Sequence, residues 1–361
     1  MSETESPQLY GRMFTRSDLV IIGLSVALTV AAGVTHAVPA GPVLPFLFSA
    51  GAVAVLASLV GRSVEQMGDR FGAGATGALQ SALGNLPELF IALFALKAGL
   101  VTVVQSALIG SILGNLLLVL GLAFIVGGIK HGPQHLGSKR AREIAVLMVL
   151  AVGAMVVPSL AAHIHTPAEN HVGALSLFVS VLLLVLYAVT LPGMIKRGGG
   201  EPREGEAARW PLWLAVVLLA VASVAAAFVS DWFVAALQPA MNSLHISEAF
   251  AGLVVVAIAG NAIENVVGVQ LAAQNRSEYA FSVIIQSPLQ IALVLAPVLV
   301  IVSYVFGFAT LTLVFPPMLI AAVAIAVLMA VFITFDGEST WTEGAAMVVL
   351  YGVIAAAFWW G

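Results

Sequence analysis

The chain of 361 residues contains no cysteine and little charge. The absence of cysteine excludes disulfide bonds and any mechanism that uses a cysteine nucleophile. Charged residues make up 9% of the sequence, whereas a soluble domain carries about 25%. The net charge of −4 is small and spread along the chain, which argues against nucleic acid as a partner. A soluble or nucleic-acid-binding domain is therefore a poor fit.

Apolar residues fill most of what remains. They make up 61% of the chain, and uninterrupted stretches long enough to cross a bilayer as helices recur along nearly its whole length. The sequence predicts an all-α polytopic protein of the cell (inner) membrane, in contact with the lipid bilayer. About eleven transmembrane helices are predicted, at residues 18–36, 42–61, 77–97, 101–127, 143–161, 171–194, 210–230, 247–273, 278–304, 310–334 and 341–360.

One Gly-rich, charged stretch, "KRGGGEPREGEAARW", divides the spans into six and five. The predicted organisation is an N-terminal tail with a first helix (1–40), a five-helix repeat (41–195), a cytoplasmic linker (196–209) and a second five-helix repeat (210–361). Loop charges predict the orientation, because Lys and Arg accumulate on the cytoplasmic side. With a cytoplasmic N-terminus and an outer C-terminus, thirteen basic residues lie inside and only Lys97 lies outside.

An internal repeat appears when Gly84 is laid on Gly260. The segment "GNLPELFIALFALKAGLVTVVQSALIGSILGN" (84–115) then aligns without gaps on "GNAIENVVGVQLAAQNRSEYAFSVIIQSPLQI" (260–291). Chance similarity between apolar helices is the alternative, but Asn and Glu are rare in membrane spans. The third and eighth spans run in opposite directions, so the copies are inverted, as in many secondary transporters.

The matched motif places Glu88 and Glu264 deep within their spans. A carboxylate near the bilayer centre is a functional-site hypothesis by default; a protonated, hydrogen-bonded glutamate is the structural alternative. Helical spacing predicts that Asn85 shares a face with Glu88, and Asn261 with Glu264. Their oxygens suit a hard cation such as Ca²⁺.

Other residues of the predicted cation and proton site surround these four. Pro87 lacks an N–H group and is expected to leave the Leu83 carbonyl available to an ion or to act as a plain kink. Gly84 and Gly260 allow close backbone approach. The next span of each copy offers polar groups that complete an oxygen cage or, alternatively, join helices by hydrogen bonds; these are Ser111, Asn115, Ser287 and Gln290.

Two carboxylates in one cavity repel each other when both are ionised. One Ca²⁺ neutralises the pair, and so do two protons. The hypothesis that follows is competition between Ca²⁺ and H⁺ for one site, and hence obligatory exchange.

These residues resemble the cation/proton exchangers, or Ca²⁺/H⁺ antiporters, of the Ca²⁺/cation antiporter superfamily. The resemblance rests on "GNLPEL" and "GNAIEN", on "GSILGNLLLVLG" and "SPLQIALVLAP", and on the approach to the first motif with Glu65. It implies one extra N-terminal helix plus two inverted five-helix repeats, and cation and proton binding by Glu88 and Glu264. It also implies that the first helices of each repeat slide against the core. Pro87, Asn265, Gln286 and Pro288 depart from the residues common in that family.

Three rival functions would require features that differ from those of an antiporter. A Na⁺/Ca²⁺ exchanger is expected to place more polar side chains beside the glutamates than Leu86, Ala262 and Ile263. A cation channel is expected to show a pore-loop motif, and an intramembrane protease a His-Glu-x-x-His motif; neither is evident. The predicted protein is therefore not an enzyme and uses no cofactor apart from the transported Ca²⁺ and H⁺.

Overall fold

The computed structural model describes residues 13–71, 83–197 and 209–360, which form twelve helices and one pair of two-residue strands. The strands β1 (Gln134–His135) and β2 (Glu338–Ser339) pair antiparallel. One 3₁₀ helix, Pro167–His171, precedes the sixth helix. The helices are α1 Arg16–Ala37, α2 Val43–Phe71, α3 Leu86–Lys97, α4 Val101–His131, α5 Ser138–His163, α6 Val172–Arg197, α7 Leu212–Leu244, α8 Glu248–Gly260, α9 Ala262–Ala273, α10 Ser277–Val305, α11 Pro317–Thr334 and α12 Trp341–Trp359.

Within the described ranges, nine of these helices are long and apolar enough to cross a membrane: α1, α2, α4 to α7 and α10 to α12. The prediction of an integral membrane protein built from helices is confirmed. The helices α3 and α9 have twelve residues each. At 1.5 Å per residue, each reaches roughly 18 Å, too short to cross a hydrocarbon core of about 30 Å alone.

Several predicted span ends are wrong. The predicted helix 247–273 is broken at Asn261 into α8 and α9. The predicted helix 77–97 starts its last segment only at Leu86, after a turn, and residues 72–82 lie outside the described part. The helix predicted at 210–230 continues to Leu244, and the one predicted to start at 310 begins at Pro317. Most of the linker, residues 198–208, also lies outside the described part.

The segment before α11, residues 308–316, is an extended strap instead of a helix. Its backbone groups bond to side chains of four helices, as buried backbone within a membrane protein requires. Leu311, Leu313 and Phe315 are buried, and their N–H groups donate to Ser303, Ser176 and Ser159 at 3.0 Å each. Ser159 Oγ donates to the Leu313 carbonyl at 2.9 Å, and Gln105 Nε2 donates to the Val314 carbonyl at 2.7 Å.

We expect Ser159→Ala to lower the free energy of unfolding by about 1–3 kcal/mol, because it leaves the Phe315 N–H and the Leu313 carbonyl without this hydroxyl. Thermal unfolding in detergent measures the effect. Ser180→Ala is the matched control, since the buried Ser180 hydroxyl has no hydrogen-bond partner among the described residues. Equal melting temperatures for the two variants would contradict the tethering role of Ser159.

Glycines allow two helices to cross at the centre of the molecule. A Cβ added to Gly110 in α4 would collide with the Leu253 backbone in α8, and one added to Gly252 would collide with the Val103 carbonyl. The contact at Gly252 falls in a π-helical turn, Ala251–Val256. Two further π turns, Gly114–Val119 in α4 and Ile291–Leu295 in α10, lie next to the polar residues described below.

Around this centre, α1, α2 and α7 pack against one another. Hydrogen bonds join α2 to the residues just before α7, where the Gln66 side-chain oxygen accepts from the backbone N–H groups of Arg209 and Trp210 at 2.9 and 3.1 Å. Arg62 of α2 pairs with Asp18 of α1 at 3.3 Å. The last linker residue, Arg209, and the residue after it, Trp210, are thus held against α2.

Candidate functional site

Both motifs lie where a helix begins. Asn85 precedes α3 with φ −95° and ψ 16°, and Asn261 precedes α9 with φ −98° and ψ 20°. Pro87 is the second residue of α3, where a helix needs no N–H donor, so it does not kink the middle of a helix as its place in a span of 77–97 suggested. The second motif breaks the helix at the same place without a proline. The break therefore accompanies the Gly-Asn pair and does not depend on Pro87.

Each asparagine has non-helical dihedral angles and stands immediately before its helix, so it faces the glutamate three residues later as a cap residue faces the first turn. The shared face of Asn261 and Glu264 stays a prediction, because the Glu264 side chain lies outside the described residues. Asn261 contacts the glutamate of the other motif. The two motifs are joined crosswise.

Among the described side chains, Glu88 is the acidic group at this junction. Its side chain is buried, with 8% of the residue exposed. Glu88 Oε1 accepts hydrogen bonds from Asn261 Nδ2 at 2.5 Å and from Ser111 Oγ at 3.1 Å. Three separate elements, α3, α4 and the α8–α9 break, therefore meet at one carboxylate oxygen.

Asn261 joins the remaining polar groups. Its Nδ2 lies 2.9 Å from both Ser111 Oγ and the Ala257 carbonyl. Its Oδ1 accepts from Asn115 Nδ2 at 2.9 Å and from Ser287 Oγ at 3.1 Å. Four predicted site residues thus converge with Glu88 in one buried network: Ser111, Asn115, Asn261 and Ser287.

A second, smaller contact links Asn85 and Gln290. Asn85 Nδ2 lies 3.4 Å from Gln290 Oε1, so this pair also crosses between the two motif segments. Gln290 is buried, whereas Asn85 is half-buried. Leu83 and Gly84, just before Asn85, are half-buried, and Leu83 packs against the apolar core.

Gly260 lies directly against the Glu88 side chain. A Cβ added to Gly260 would stand 2.5 Å from Glu88 Cγ and 3.0 Å from Oε1. Glu264 belongs to α9, in its first turn, but its side chain lies outside the described residues. Among the described side chains, no group of three or more His, Asp or Glu residues is arranged to hold a metal. Amide and hydroxyl oxygens would have to supplement the carboxylates in any cation site here.

A cavity adjoins Glu88 and Ser111. The rest of its lining is apolar, and its accessible space is sufficient for about one or two water molecules. It is bounded mainly by the facing sides of α3 and α4, with one residue each from α8 and α10. The lining residues are Glu88, Ile91, Ala92, Ala95, Val103, Val104, Ala107, Leu108, Ser111, Val256 and Leu295.

This geometry can hold the Glu88 carboxyl group once its charge is neutralised. The side chains around it can also exchange their hydrogen-bond partners. A buried carboxylate is costly unless hydrogen bonds, a proton or a cation compensate its charge. Serine and asparagine side chains can turn an oxygen instead of a donor toward a cation. Sequence reasoning found the participants but missed that Asn261 bonds to Glu88; the inverted repeat was the available signal, because it brings the two motifs together.

Known proteins resemble this chain over most of its length. Residues 42–195 and 214–360 match the family described as sodium/calcium exchanger protein. The chain is 35% identical over 355 residues to the Ca(2+)/H(+) antiporter ChaA of Bacillus subtilis (strain 168), covering 95% of this chain and 99% of that protein. It is 34% identical over 333 residues to the Ca(2+)/H(+) antiporter of Aphanothece halophytica, covering 87% and 89%.

Solved structures show the same fold. Native YfkE superposes with a TM-score of 0.80 at 32% identity, covering 94% of this chain and 99% of that one. The H+/Ca2+ exchanger CAX superposes with a TM-score of 0.76 at 18% identity, covering 95% and 92%, and at this identity the likeness concerns the fold alone.

Proposed function

This chain belongs to the sodium/calcium exchanger protein family, and we propose that it is a secondary antiporter that exchanges Ca²⁺ for H⁺ across its membrane. The predicted resemblance to the Ca²⁺/H⁺ antiporters is confirmed by relatives of that name that match most of the chain at 34–35% identity. An integral membrane transporter, not an enzyme, agrees with those relatives and with the apolar helices.

The observation that carries the mechanism is the crosswise hydrogen bond from Asn261 to Glu88. It ties the carboxylate of the first motif to the helix break of the second motif, deep in the apolar core. A cation bound to Glu88 must displace or reorient Asn261 and Ser111, which both donate to Oε1. Ion binding is thereby coupled to the relative position of the two motifs.

In this mechanism Glu88 and Glu264 bind either Ca²⁺ or protons. Oxygen ligands favour Ca²⁺, and Asn261, Ser111 and Ser287 lie close enough to Glu88 or its partners to contribute. Without a cation, both carboxylates must be protonated before the site can pass through the apolar core. Movement of α2 and α7 against the core then exposes the site to one side or the other.

The finer architecture is part of the same proposal: eleven spans, with one helix before two inverted five-helix repeats. In support, α3 and α9 have the same length and start at equivalent positions of the aligned motifs, Leu86 and Ala262. The following helices also start at equivalent positions, Val101 and Ser277. The α8–α9 pair counts as one discontinuous span, a common feature of transporter sites.

The proposed orientation has the N-terminus in the cytoplasm and the C-terminus outside the cell membrane, as the loop charges indicate. Arg16, Arg62 and Arg209 lie on the predicted inner side. Arg62 contacts Ser17 and Asp18, and the backbone of residue 209 is bonded to Gln66, so these segments share one end of the molecule. With that orientation, a proton gradient directed inward drives Ca²⁺ out of the cytoplasm.

Uptake of labelled Ca²⁺ into sealed, inside-out vesicles tests this function. An acidic vesicle interior should drive Ca²⁺ accumulation without Na⁺, and dissipation of the pH gradient should abolish it. Accumulation that requires a Na⁺ gradient would instead establish the Na⁺/Ca²⁺ exchanger alternative. A sustained current without counter-transport would establish a channel.

A further inference from the structure

The lining of the cavity beside Glu88 extends along α3 and α4, away from the ion site. From Glu88 it follows α3 to Ala95, a rise of about 10 Å along the helix. On α4 it extends from Ser111 to Val103. The last lining residues, Ala95 and Val103, are buried and lie three residues from the loop at 98–100, where Ala98 and Gly99 are exposed and which the charge distribution predicts to be outer.

The cavity is too narrow and too apolar for Ca²⁺. The ion takes about six to eight oxygen ligands, whereas only Glu88 and Ser111 offer oxygen side chains here and the space admits about one or two waters. A proton needs no such shell, because it can pass between hydrogen-bonded waters. Glu88 is also the single titratable side chain that lines this cavity in the described residues.

The equivalent place in the second motif segment is filled. In the alignment of the two motifs, Ala92 corresponds to Gly268 and Leu108 to Ile284. The Ile284 side chain lies so close to Gly268 that an added Cβ would collide with it. The gap between α3 and α4 is thus a feature of the Glu88 side, where the small lining residues Ala95 and Ala107 correspond to the larger Leu271 and Val283 of the second segment.

We propose that this cavity is a proton route between Glu88 and the outer face, separate from the path of the cation. The inference rests on the proposed function and adds a route to it. A proton passes from outer water through transient waters between the loop and the cavity, and then through the roughly one or two waters that the cavity admits, to a Glu88 carboxylate oxygen. An O–H bond of the donating hydronium breaks as the O–H bond of the Glu88 carboxyl group forms, and release reverses this transfer. The apolar walls keep the cavity dry most of the time, which limits continuous proton leak.

Ala92→Leu tests the route, because the larger side chain fills the cavity beside Glu88. Two assays are compared in the same vesicles: Ca²⁺ uptake driven by a pH gradient, and exchange of labelled for unlabelled Ca²⁺ at equal pH. We expect proton-driven uptake to fall about tenfold while Ca²⁺/Ca²⁺ exchange stays within about twofold of the unsubstituted protein. Ala98→Leu, in the exposed loop beyond the cavity, should leave both rates unchanged.

A loss of equal size in both assays, or in neither, would overturn the proton route. Failure of the proposed function is distinct, since the unsubstituted protein would then show no proton-driven uptake. If Ala92→Leu does not fold, Val104→Thr tests the proton route instead, because it adds a hydroxyl to the cavity wall at nearly constant volume. Faster proton leak in Ca²⁺-free vesicles supports the route, and leak equal to that of the unsubstituted protein rejects it.

Discussion

Glu88→Gln is expected to reduce proton-driven Ca²⁺ uptake to the level of vesicles without the protein. The amide keeps the size of the side chain but has no charge to hold Ca²⁺ and no proton to exchange. Glu88 is buried, and the side chains that donate to it, Asn261 and Ser111, are uncharged and cannot replace its carboxylate. Uptake of labelled Ca²⁺ into vesicles with a fixed pH gradient measures the loss.

The matched control is Glu169→Gln, which changes an exposed glutamate that contacts His165 at 2.9 Å, far along the chain from the motifs. It should leave uptake near that of the unsubstituted protein. Glu264→Gln should behave as Glu88→Gln does, since the repeat gives both carboxylates one role. Normal exchange by a well-folded Glu88→Gln protein would eliminate the two-carboxylate mechanism.

Hydropathy and loop charge predict much of the fold because they report directly on the solvent around each segment. Long apolar runs such as Val101–His131 have no alternative in a bilayer to a spanning helix. The break at Asn261 is not predicted, since Ala262 and Ile263 continue the apolar pattern. It becomes favourable only because the Asn261 side chain satisfies groups on other helices, which a local pattern does not contain.

The strap at residues 308–316 shows the same limit. Its sequence is as apolar as a spanning helix, and hydropathy assigns it to one. The adjacent prolines Pro316 and Pro317 favour a helix start at that point, while the preceding backbone is satisfied by Gln105 and Ser159, more than a hundred residues earlier in the chain. Partners so distant in sequence leave no local signal.

The polar residues around Glu88 are the opposite case, because the sequence does reveal them. Rare polar residues in apolar spans, together with their repetition, are sufficient to single out Glu88, Asn261, Ser111 and Ser287, which the structure joins in one hydrogen-bonded network. Their partners could not be assigned, because helical spacing describes contacts within one helix and these contacts run between helices. Gly260 was expected to allow close approach, but its actual neighbour, the Glu88 side chain, emerges only from the packing.

Gly260→Ala should therefore impair transport although it removes no polar group. The added methyl would stand 2.5 Å from Glu88 Cγ, which cannot move aside as the far end of a flexible side chain could. Overpacking of this kind typically costs about 1–3 kcal/mol. If that cost falls on the geometry that binds the ion, affinity or rate falls by roughly 5- to 150-fold. Proton-driven Ca²⁺ uptake over a range of Ca²⁺ concentrations measures both.

Gly352→Ala separates this steric effect from the general effect of glycine replacement in a helix. Gly352 lies within α12, and a Cβ added there meets no atom within 4 Å. Alanine favours helix at both positions, so Gly352→Ala should transport normally and be at least as stable as the unsubstituted protein. If Gly260→Ala also transported normally, Glu88 would have to tolerate a displaced side chain, and the close packing of Gly260 on Glu88 would have no part in ion exchange. A loss confined to Gly260→Ala, in protein that remains folded, would place the second motif's glycine in the first motif's ion site.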